Sequence, residues 1–170
     1  MMLTNKQKIC IDFSYEVLSM TDADIEDVLS FLRNFSEVHF CTWENEILLR
    51  DILSSKRSAC YIARSSNETV GNYIVGALIG GTMGVRATIN HLAVHKAYRK
   101  RGIARKLVSQ AFVNFQLQGI RRVFLFIIDE AADAQCFWTK VGFKSIVNET
   151  TYELDLPQGA IHYSETKRRC

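Results

Sequence analysis

The chain has 170 residues, of which 48% are hydrophobic and 23% charged, with a formal net charge of +3. This length fits one domain with one sizeable core, and the mild, mixed charge argues against a general nucleic-acid-binding protein. The five cysteines lack C-x-x-C spacing and are odd in number, so we expect neither a disulfide framework nor a metal site. The sequence shows neither a signal peptide nor a membrane-spanning run, and we expect a cytoplasmic protein without membrane partners.

The first quarter of the chain predicts a strand followed by two helices. Residues 15–20 alternate as a strand does, and Thr21 with Asp24 gives the capping-box signal that begins a helix. A second helix is predicted over residues 43–53. Its buried side is expected to carry Trp43, Ile47, Leu48 and Ile52.

Three strands are predicted next, over residues 58–64, 73–82 and 87–95. Short turns join them, so they should be antiparallel. An amphipathic helix follows over residues 103–115, and residues 123–128 (VFLFII) are apolar throughout, as expected of a strand buried on both faces. Because a long helix connects the last two strands, they should be parallel neighbours.

A short helix over residues 131–140 and one or two short strands complete the predicted domain. The domain spans residues 15–156, between a lead-in over residues 1–14 and a polar, basic tail over residues 157–170. The order of elements predicts an α/β fold with a mixed, mostly antiparallel central sheet and flanking helices.

The segment between the third of these strands and the long helix is strongly basic. It contains Arg99, Lys100, Arg101, Arg105 and Lys106. The first turn of a helix has unpaired N–H groups and the positive end of the helix dipole, and Gly102 lets a ligand approach the backbone closely. The pattern predicts a pyrophosphate site. A solvated basic surface at a helix start is the alternative, and neither a Walker motif nor G-x-G-x-x-G is present.

Residues 89–104 closely resemble the acetyl-CoA-binding segment of the GNAT superfamily of N-acetyltransferases. Arg99 to Ala104 fits the Arg/Gln-x-x-Gly-x-Gly/Ala motif of that family. A second block resembles the family at the expected distance. It consists of Ala134, Phe137, Trp138 and Val141-Gly142-Phe143. The resemblance covers residues 15–156.

The resemblance implies a splayed pair of parallel strands, with the pantetheine arm of acetyl-CoA paired to the backbone of Leu92 and Val94. Backbone amides of residues 100–105 would bind the pyrophosphate, and acetyl-CoA would serve as cosubstrate without a metal. The cofactor-binding residues expected on this basis are Leu92, Ala93, Val94, Arg99, Lys100, Arg101, Gly102, Ile103, Ala104, Arg105, Phe137 and Trp138.

The expected reaction is direct attack of an amine on the thioester, and the sequence departs from the family at the usual acid. Trp138 stands where many members have a tyrosine, and Ala131 where an asparagine is common. An indole donates a hydrogen bond but is not a practical acid. Tyr98 and Tyr152 are substitutes, with packing the alternative for Tyr98; water can also protonate the thiolate.

The base is equally open from sequence alone. Thr88 and Asn90 occupy the strand face where relatives place a base, and either can hold a water molecule. Strand alternation predicts that His91 points to the opposite face, so it is either a base or a packed residue. Glu44 is a further candidate in the early helical region. Together with Glu37 and Glu46 it indicates a cationic acceptor.

The sequence therefore predicts an acetyl-CoA-dependent N-acetyltransferase, a monomer or homodimer, acting on a small cationic amine. A protein or peptide N-acetyltransferase, acting on an N-terminus or a lysine, is the first alternative. The second is a CoA-binding regulatory module of weak activity, which the tryptophan at the acid position favours. A nucleic-acid partner is not expected, because the basic stripe is short and lacks stacking aromatics.

Overall fold

The computed structural model describes residues 13–38, 40–41, 44–65 and 73–151. Within these residues, five strands form one sheet in the order β1-β2-β3-β4-β5. The strands are β1 (Tyr15–Ser19), β2 (Tyr61–Ser65), β3 (Ile74–Met83), β4 (Arg86–Val94) and β5 (Val123–Phe124). From β1 to β4 each strand is antiparallel to its neighbour, and β5 runs parallel to β4. The predicted mixed, mostly antiparallel α/β fold is confirmed.

Helices cover both faces of the sheet. The helices of the described chain are α1 (Ile25–Arg33), α2 (Glu46–Ser54), α3 (Ile103–Leu117) and α4 (Ala132–Val141), with 3-10 turns at Asp22–Asp24 and Lys96–Tyr98. One core lies between the sheet and α3, and includes Leu78, Ile103 and Phe115. A second lies under α1 and α2 and includes Val28 and Leu32. None of the helices in the described ranges is long and apolar enough to cross a bilayer.

The capping box at the start of α1 forms as the sequence predicts. The carboxylate of Asp24 accepts from the Thr21 amide at 2.8 Å and from the Thr21 hydroxyl at 2.7 Å. The Arg64 guanidinium of β2 pairs with the same carboxylate. Burial opposes ionisation of Asp24, but the hydrogen bonds from Arg64 and Thr21 outweigh it and lower its pKa. One carboxylate thus joins the helix start to the sheet.

The predicted buried side of α2 is wrong, because a different face of the helix packs against the core. The helix begins at Glu46, because the Asn45 side chain caps it by accepting from the Leu48 amide at 3.1 Å. The buried residue is Leu49, while the Ile47 and Leu48 side chains are exposed. Ile52 packs against the core as expected, and Trp43 lies outside the described residues.

The strand predicted over residues 123–128 is much shorter than expected. Only Val123 and Phe124 pair with β4, and the Phe126 side chain is 75% exposed. Apolar content alone cannot show that a backbone leaves its neighbour after two residues. Residues 143–151 form no strand, and the tail, the first 12 residues and the predicted strand end at residue 156 lie outside the described residues.

A β-bulge divides β4 into two halves. Ile79 pairs with His91 and Gly80 with Ile89, so Asn90 is an extra residue in β4. A bulge of this kind shifts the alternation of side chains by one residue. Ile89 and Leu92 therefore both contact the α3 core, whereas His91 lies on the α1 and α2 face. The prediction that His91 opposes the face of Thr88 is wrong for this reason.

Candidate active site

The edge of β4 next to β5 opens after two residue pairs. Ala87 pairs with Val123 and Thr88 with Phe124, and the two strands then separate. On the other side, β3 accompanies β4 to Val94. Within the described residues, the β5 side of β4 beyond Thr88 has no strand partner, so its backbone groups can accept an extended ligand. Leu92, Ala93 and Val94 lie along this open edge.

The chain between β4 and α3 forms a concave turn of backbone amides. Lys100 and Gly102 both have left-handed backbone, with φ of 62° and 83°. Gly102 is the N-cap of α3, and as a glycine it has no side chain to cap the helix. The first hydrogen bond of the helix runs from the Lys106 amide to the Gly102 carbonyl at 3.0 Å. The amides of Ile103, Ala104 and Arg105 consequently lack intrahelical partners. Left-handed residues before a helix N-terminus form an anion-binding nest.

Aromatic side chains that precede β1 or begin it contact this turn. The Tyr15 hydroxyl donates to the Arg101 carbonyl at 3.2 Å. The Arg101 guanidinium lies 3.5 Å from the centre of the Phe13 ring, and the Lys106 ammonium lies 4.8 Å from that of Tyr15. Sequence reasoning missed Phe13 and Tyr15, because an aromatic residue near a strand start signals packing and does not indicate a distant partner.

The Arg99 side chain bridges β4 and the segment after α1. Its Nε donates to the Val94 carbonyl at 3.1 Å, and its Nη2 lies 3.6 Å from Glu37 Oε1. A hydrogen bond from the Glu37 backbone amide, with the charges of Arg99 and Lys96, lowers the pKa of Glu37. The arginine predicted to meet the cofactor therefore engages one of the edge carbonyls.

Two of the predicted base candidates form a pair. His91 Nε2 lies 2.7 Å from Glu44 Oε1, and Glu44 Oε2 accepts from the Cys41 amide at 2.6 Å. The His91 side chain is buried, and its ring centre lies 5.3 Å from that of Phe40. A neutral imidazole that donates from Nε2 to a carboxylate keeps Nδ1 as an acceptor. Among the described residues, the His91 side chain has no second hydrogen-bond partner, so Nδ1 is available as an acceptor.

Tyr98 belongs to a buried hydroxyl cluster. Its oxygen lies 2.8 Å from that of Tyr73 and 3.2 Å from Ser65 Oγ, and its ring meets those of Phe13 and His95 edge-on. The hydrogen bond with Tyr98 raises the pKa of Tyr73 to about 12. These contacts favour a packing role for Tyr98 over a role as the acid that protonates the leaving thiolate. Tyr152, the other substitute, lies outside the described residues.

Trp138 forms part of the core beneath α4. Its ring centre lies 5.0 Å from that of Phe137 and 5.1 Å from that of Phe143. Gly142, with φ of 112°, ends the helix. Ala131 occupies the N-cap without a side-chain hydrogen bond, and Asn90 is exposed at the bulge. The position of the usual acid therefore carries an apolar packing residue.

The described residues contain no group of three or more His, Cys, Asp or Glu side chains that could hold a metal ion. The arrangement offers an open strand edge, an anion nest directly after it, and a carboxylate-paired imidazole on the same strand.

The chain matches a family model and resembles solved structures in its fold. Residues 56–145, just over half of the chain, match the family model described as "Acetyltransferase (GNAT) domain". No curated protein shows significant sequence similarity.

The solved structures that resemble the chain share its fold at low identity. The ribosomal-protein-S18-alanine N-acetyltransferase from Escherichia coli has a TM-score of 0.62 at 16% identity, covering 79% of this chain and 80% of the other. A transcriptional regulator from Bacillus halodurans C-125 has a TM-score of 0.65 at 21% identity, covering 83% and 100%. Aminoglycoside N-acetyltransferase AAC(6')-Iy in complex with CoA has a TM-score of 0.63 at 15% identity, covering 83% and 100%.

Proposed function

The chain belongs to the GNAT acetyltransferase family, and from that premise we propose that it transfers the acetyl group of acetyl-CoA to a primary amine in a ternary complex. The observation that carries the proposal is the anion nest at Lys100 and Gly102, placed directly after the open edge of β4. A cosubstrate with a pyrophosphate at one end and an amide-bearing arm at the other matches both parts. One short stretch of chain, from Leu92 to Arg105, supplies them.

The amides at the start of α3 bind the pyrophosphate, and the basic side chains around them add charge. The open backbone of β4 pairs with the pantetheine arm, as an added strand would. The Val94 carbonyl already accepts from Arg99 Nε. Arg99 therefore either leaves this carbonyl when the cosubstrate binds or fixes the end of the paired stretch.

The amine attacks the thioester carbonyl carbon, so that a C–N bond forms and the C–S bond breaks. The amine must be neutral, although an alkylamine has a pKa of about 10.4. We assign proton removal to His91 Nδ1, directly or through water, while the Glu44 carboxylate stabilises the imidazolium. The backbone N–H near Leu92 faces the developing oxyanion. The thiolate, with a pKa of about 8.5, leaves without an acid and is protonated by water.

The acceptor is a small cationic amine in this proposal. Glu37, Glu44 and Glu46 give the α1–α2 connection a negative character, although Glu37 pairs with Arg99 and Glu44 with His91. Glu46 is exposed in the first turn of α2. A peptide or protein acceptor is the second candidate, supported by the similarity in fold to the ribosomal-protein-S18-alanine N-acetyltransferase from Escherichia coli. An assay in which a polyamine and a peptide with an N-terminal alanine compete for acetylation separates the two candidates, because the preferred acceptor is acetylated faster.

A CoA-binding module of weak activity is the remaining alternative. It is favoured by Trp138, whose ring packs between Phe137 and Phe143 where many relatives have an acid. Binding of acetyl-CoA without turnover across a panel of amines would support this alternative and would contradict the role of His91 as the base.

The first test is calorimetric titration of acetyl-CoA into the wild type and the Gly102→Glu variant. The added carboxylate repels phosphate at the centre of the nest, so we expect binding to fall by a factor of at least about 100. The matched control is Gly84→Glu at the β3–β4 hairpin. Gly84 also has positive φ and open space around its Cα, so the strain and the added charge are alike.

Binding by the wild type and by Gly84→Glu, with loss in a folded Gly102→Glu protein, supports the phosphate site. Absence of binding to the wild type at millimolar acetyl-CoA would contradict the proposed function. Equal affinity in all three proteins would place the cosubstrate elsewhere.

A further inference from the structure

Phe13 and Tyr15 lie outside the motif that identifies the phosphate turn, yet both contact its residues from the start of β1. Tyr15 begins β1 and pairs with Ser65 of β2, so its backbone is fixed by the sheet. Its hydroxyl reaches across 86 positions of sequence to the Arg101 carbonyl. Residues so distant in sequence are brought together only by the fold.

The hydrogen bond from Tyr15 sets the orientation of one peptide plane. The Arg101 carbonyl and the Gly102 N–H belong to the same trans peptide, so they point in opposite directions. Holding the carbonyl towards Tyr15 aims the Gly102 N–H away from it. The peptide lies between two left-handed residues, Lys100 and Gly102, where no regular hydrogen-bond ladder fixes it. The tyrosine hydroxyl supplies that restraint.

The two aromatic rings also fix the positions of two cations. The Arg101 guanidinium lies 3.5 Å from the Phe13 ring centre and the Lys106 ammonium 4.8 Å from that of Tyr15. Contact with a ring face is favourable for a cation and limits its rotamers. Phe13 itself packs edge-on against Tyr98, with ring centres 5.2 Å apart. Buried Tyr98 thus anchors the whole arrangement to the sheet.

We propose that Phe13 and Tyr15 are positioning residues of the phosphate site, which hold the turn and its cations in the binding geometry before the ligand arrives. This inference rests on the proposed function. A ligand that binds a preorganised site does not have to order it, so the aromatic pair should raise affinity for the phosphate-bearing part of the cosubstrate alone.

The test uses Tyr15→Phe, which removes the hydroxyl but keeps the ring beneath Lys106. Two acetyl donors are compared: acetyl-CoA, and acetyl-pantetheine, which lacks the phosphates. We expect the Kd for acetyl-CoA to rise about three- to tenfold, the effect of one hydrogen bond, and kcat/KM with acetyl-pantetheine to stay unchanged. Tyr61→Phe is the matched control, because the Tyr61 hydroxyl also has one partner, Asn114 Nδ2 at 3.1 Å, away from the turn.

A second variant, Phe13→Leu, removes the ring beneath Arg101 and should weaken acetyl-CoA in the same selective way. Unchanged acetyl-CoA affinity in both variants would overturn the inference. So would equal weakening of both donors, because that indicates a general loss of structure. Failure of the wild type to bind acetyl-CoA would instead contradict the proposed function, so the two failures are distinguishable.

Discussion

At the scale of single residues, the pairing of His91 with Glu44 underlies the role in proton transfer that we propose for His91. An imidazole that donates to a carboxylate has a fixed tautomer and a stabilised protonated form. Glu44 is itself fixed by the Cys41 amide, so the pair is oriented from both ends. A buried imidazole needs a hydrogen-bond partner, and Glu44 supplies one to His91.

We expect His91→Gln to lower kcat about 100- to 1000-fold, as is typical when a general base is lost, and to leave the Kd for acetyl-CoA unchanged. Stopped assays of amine acetylation at saturating amine, with calorimetry for the Kd, provide the measurement.

Glu44→Gln serves as the partner variant. It should lower kcat less than His91→Gln, and the double variant should be no worse than His91→Gln alone, because the two act as a unit. Full activity in His91→Gln would leave packing as the role of this histidine.

Residue-level prediction from sequence succeeded where the signal is local. The Thr21 and Asp24 cap and the Gly102 helix start depend on neighbours within a few positions. The pairing of His91 with Glu44 spans 47 positions, and Tyr15 is farther still from Arg101. Both residues of the pair were identified as candidates, but nothing in their spacing predicts that they meet.

At the scale of elements, one carboxylate joins the short 3-10 turn before α1 to β2, beside the apolar packing of α1 on the sheet. The Asp24 side chain is 10% exposed and pairs with Arg64 of β2, whereas Asp22 in the same turn is 66% exposed and lies 3.8 Å from Arg50. Buried and exposed ion pairs differ in how much stability depends on them. The two positions therefore form a natural comparison.

Asp24→Asn should lower the free energy of unfolding by about 1.5–3 kcal/mol near pH 7, because a buried charged hydrogen bond is lost. The pKa of Asp24 is lowered in the folded state, so its stabilisation is present above the unfolded value of about 3.9 and is lost as pH falls through the folded value. The difference in free energy of unfolding between the wild type and the variant should therefore become smaller below about pH 4. Urea unfolding at several pH values measures it.

The control for this measurement is Asp22→Asn, which we expect to change stability by less than about 1 kcal/mol. A gap for Asp24→Asn that is constant down to acidic pH would show that shape, and not charge, carries the effect.

The elements themselves were predictable to different degrees. Strands and helices with clear periodicity were found within a few residues, as for α3 and β3. The phase of α2 and the length of β5 were wrong, because the face of α2 that packs on the core and the splay of two strands are set by tertiary contacts. Uniformly apolar sequences such as residues 123–128 carry no signal of where pairing stops.

At the scale of the whole molecule, α3 connects the phosphate turn to the sheet through a close approach at Gly76. A Cβ at this position would meet Ile103 Cγ2 at 2.9 Å and Leu107 Cδ1 at 3.2 Å. Ile103 is the first residue of α3 and is almost fully buried. The distance between β3 and α3 therefore sets where the start of the helix lies.

Gly76→Ala should destabilise the protein by about 1–3 kcal/mol, because the added methyl group overpacks this contact. It should also weaken acetyl-CoA binding, since the start of α3 must shift. Thermal unfolding and calorimetry measure the two effects. In the control Gly81→Ala, the added Cβ lies 3.4 Å from the Arg57 carbonyl, a looser contact. Equal losses of stability and of acetyl-CoA affinity in the two variants would contradict a special role for Gly76.

The bulge at Asn90 has a consequence for how the gene can vary. The residues before it and the residues after it are out of step by one position, so each half of β4 presents its own set of side chains to each face. Exchange of the exposed asparagine for another polar residue leaves this offset intact. Loss of its codon makes Ile89 and His91 neighbours, and both can keep their partners Gly80 and Ile79 and their opposite faces in plain alternation. Missense changes and loss of the codon should therefore both be tolerated best at Asn90, whereas loss of the Leu92 codon would exchange the faces of the residues beyond it.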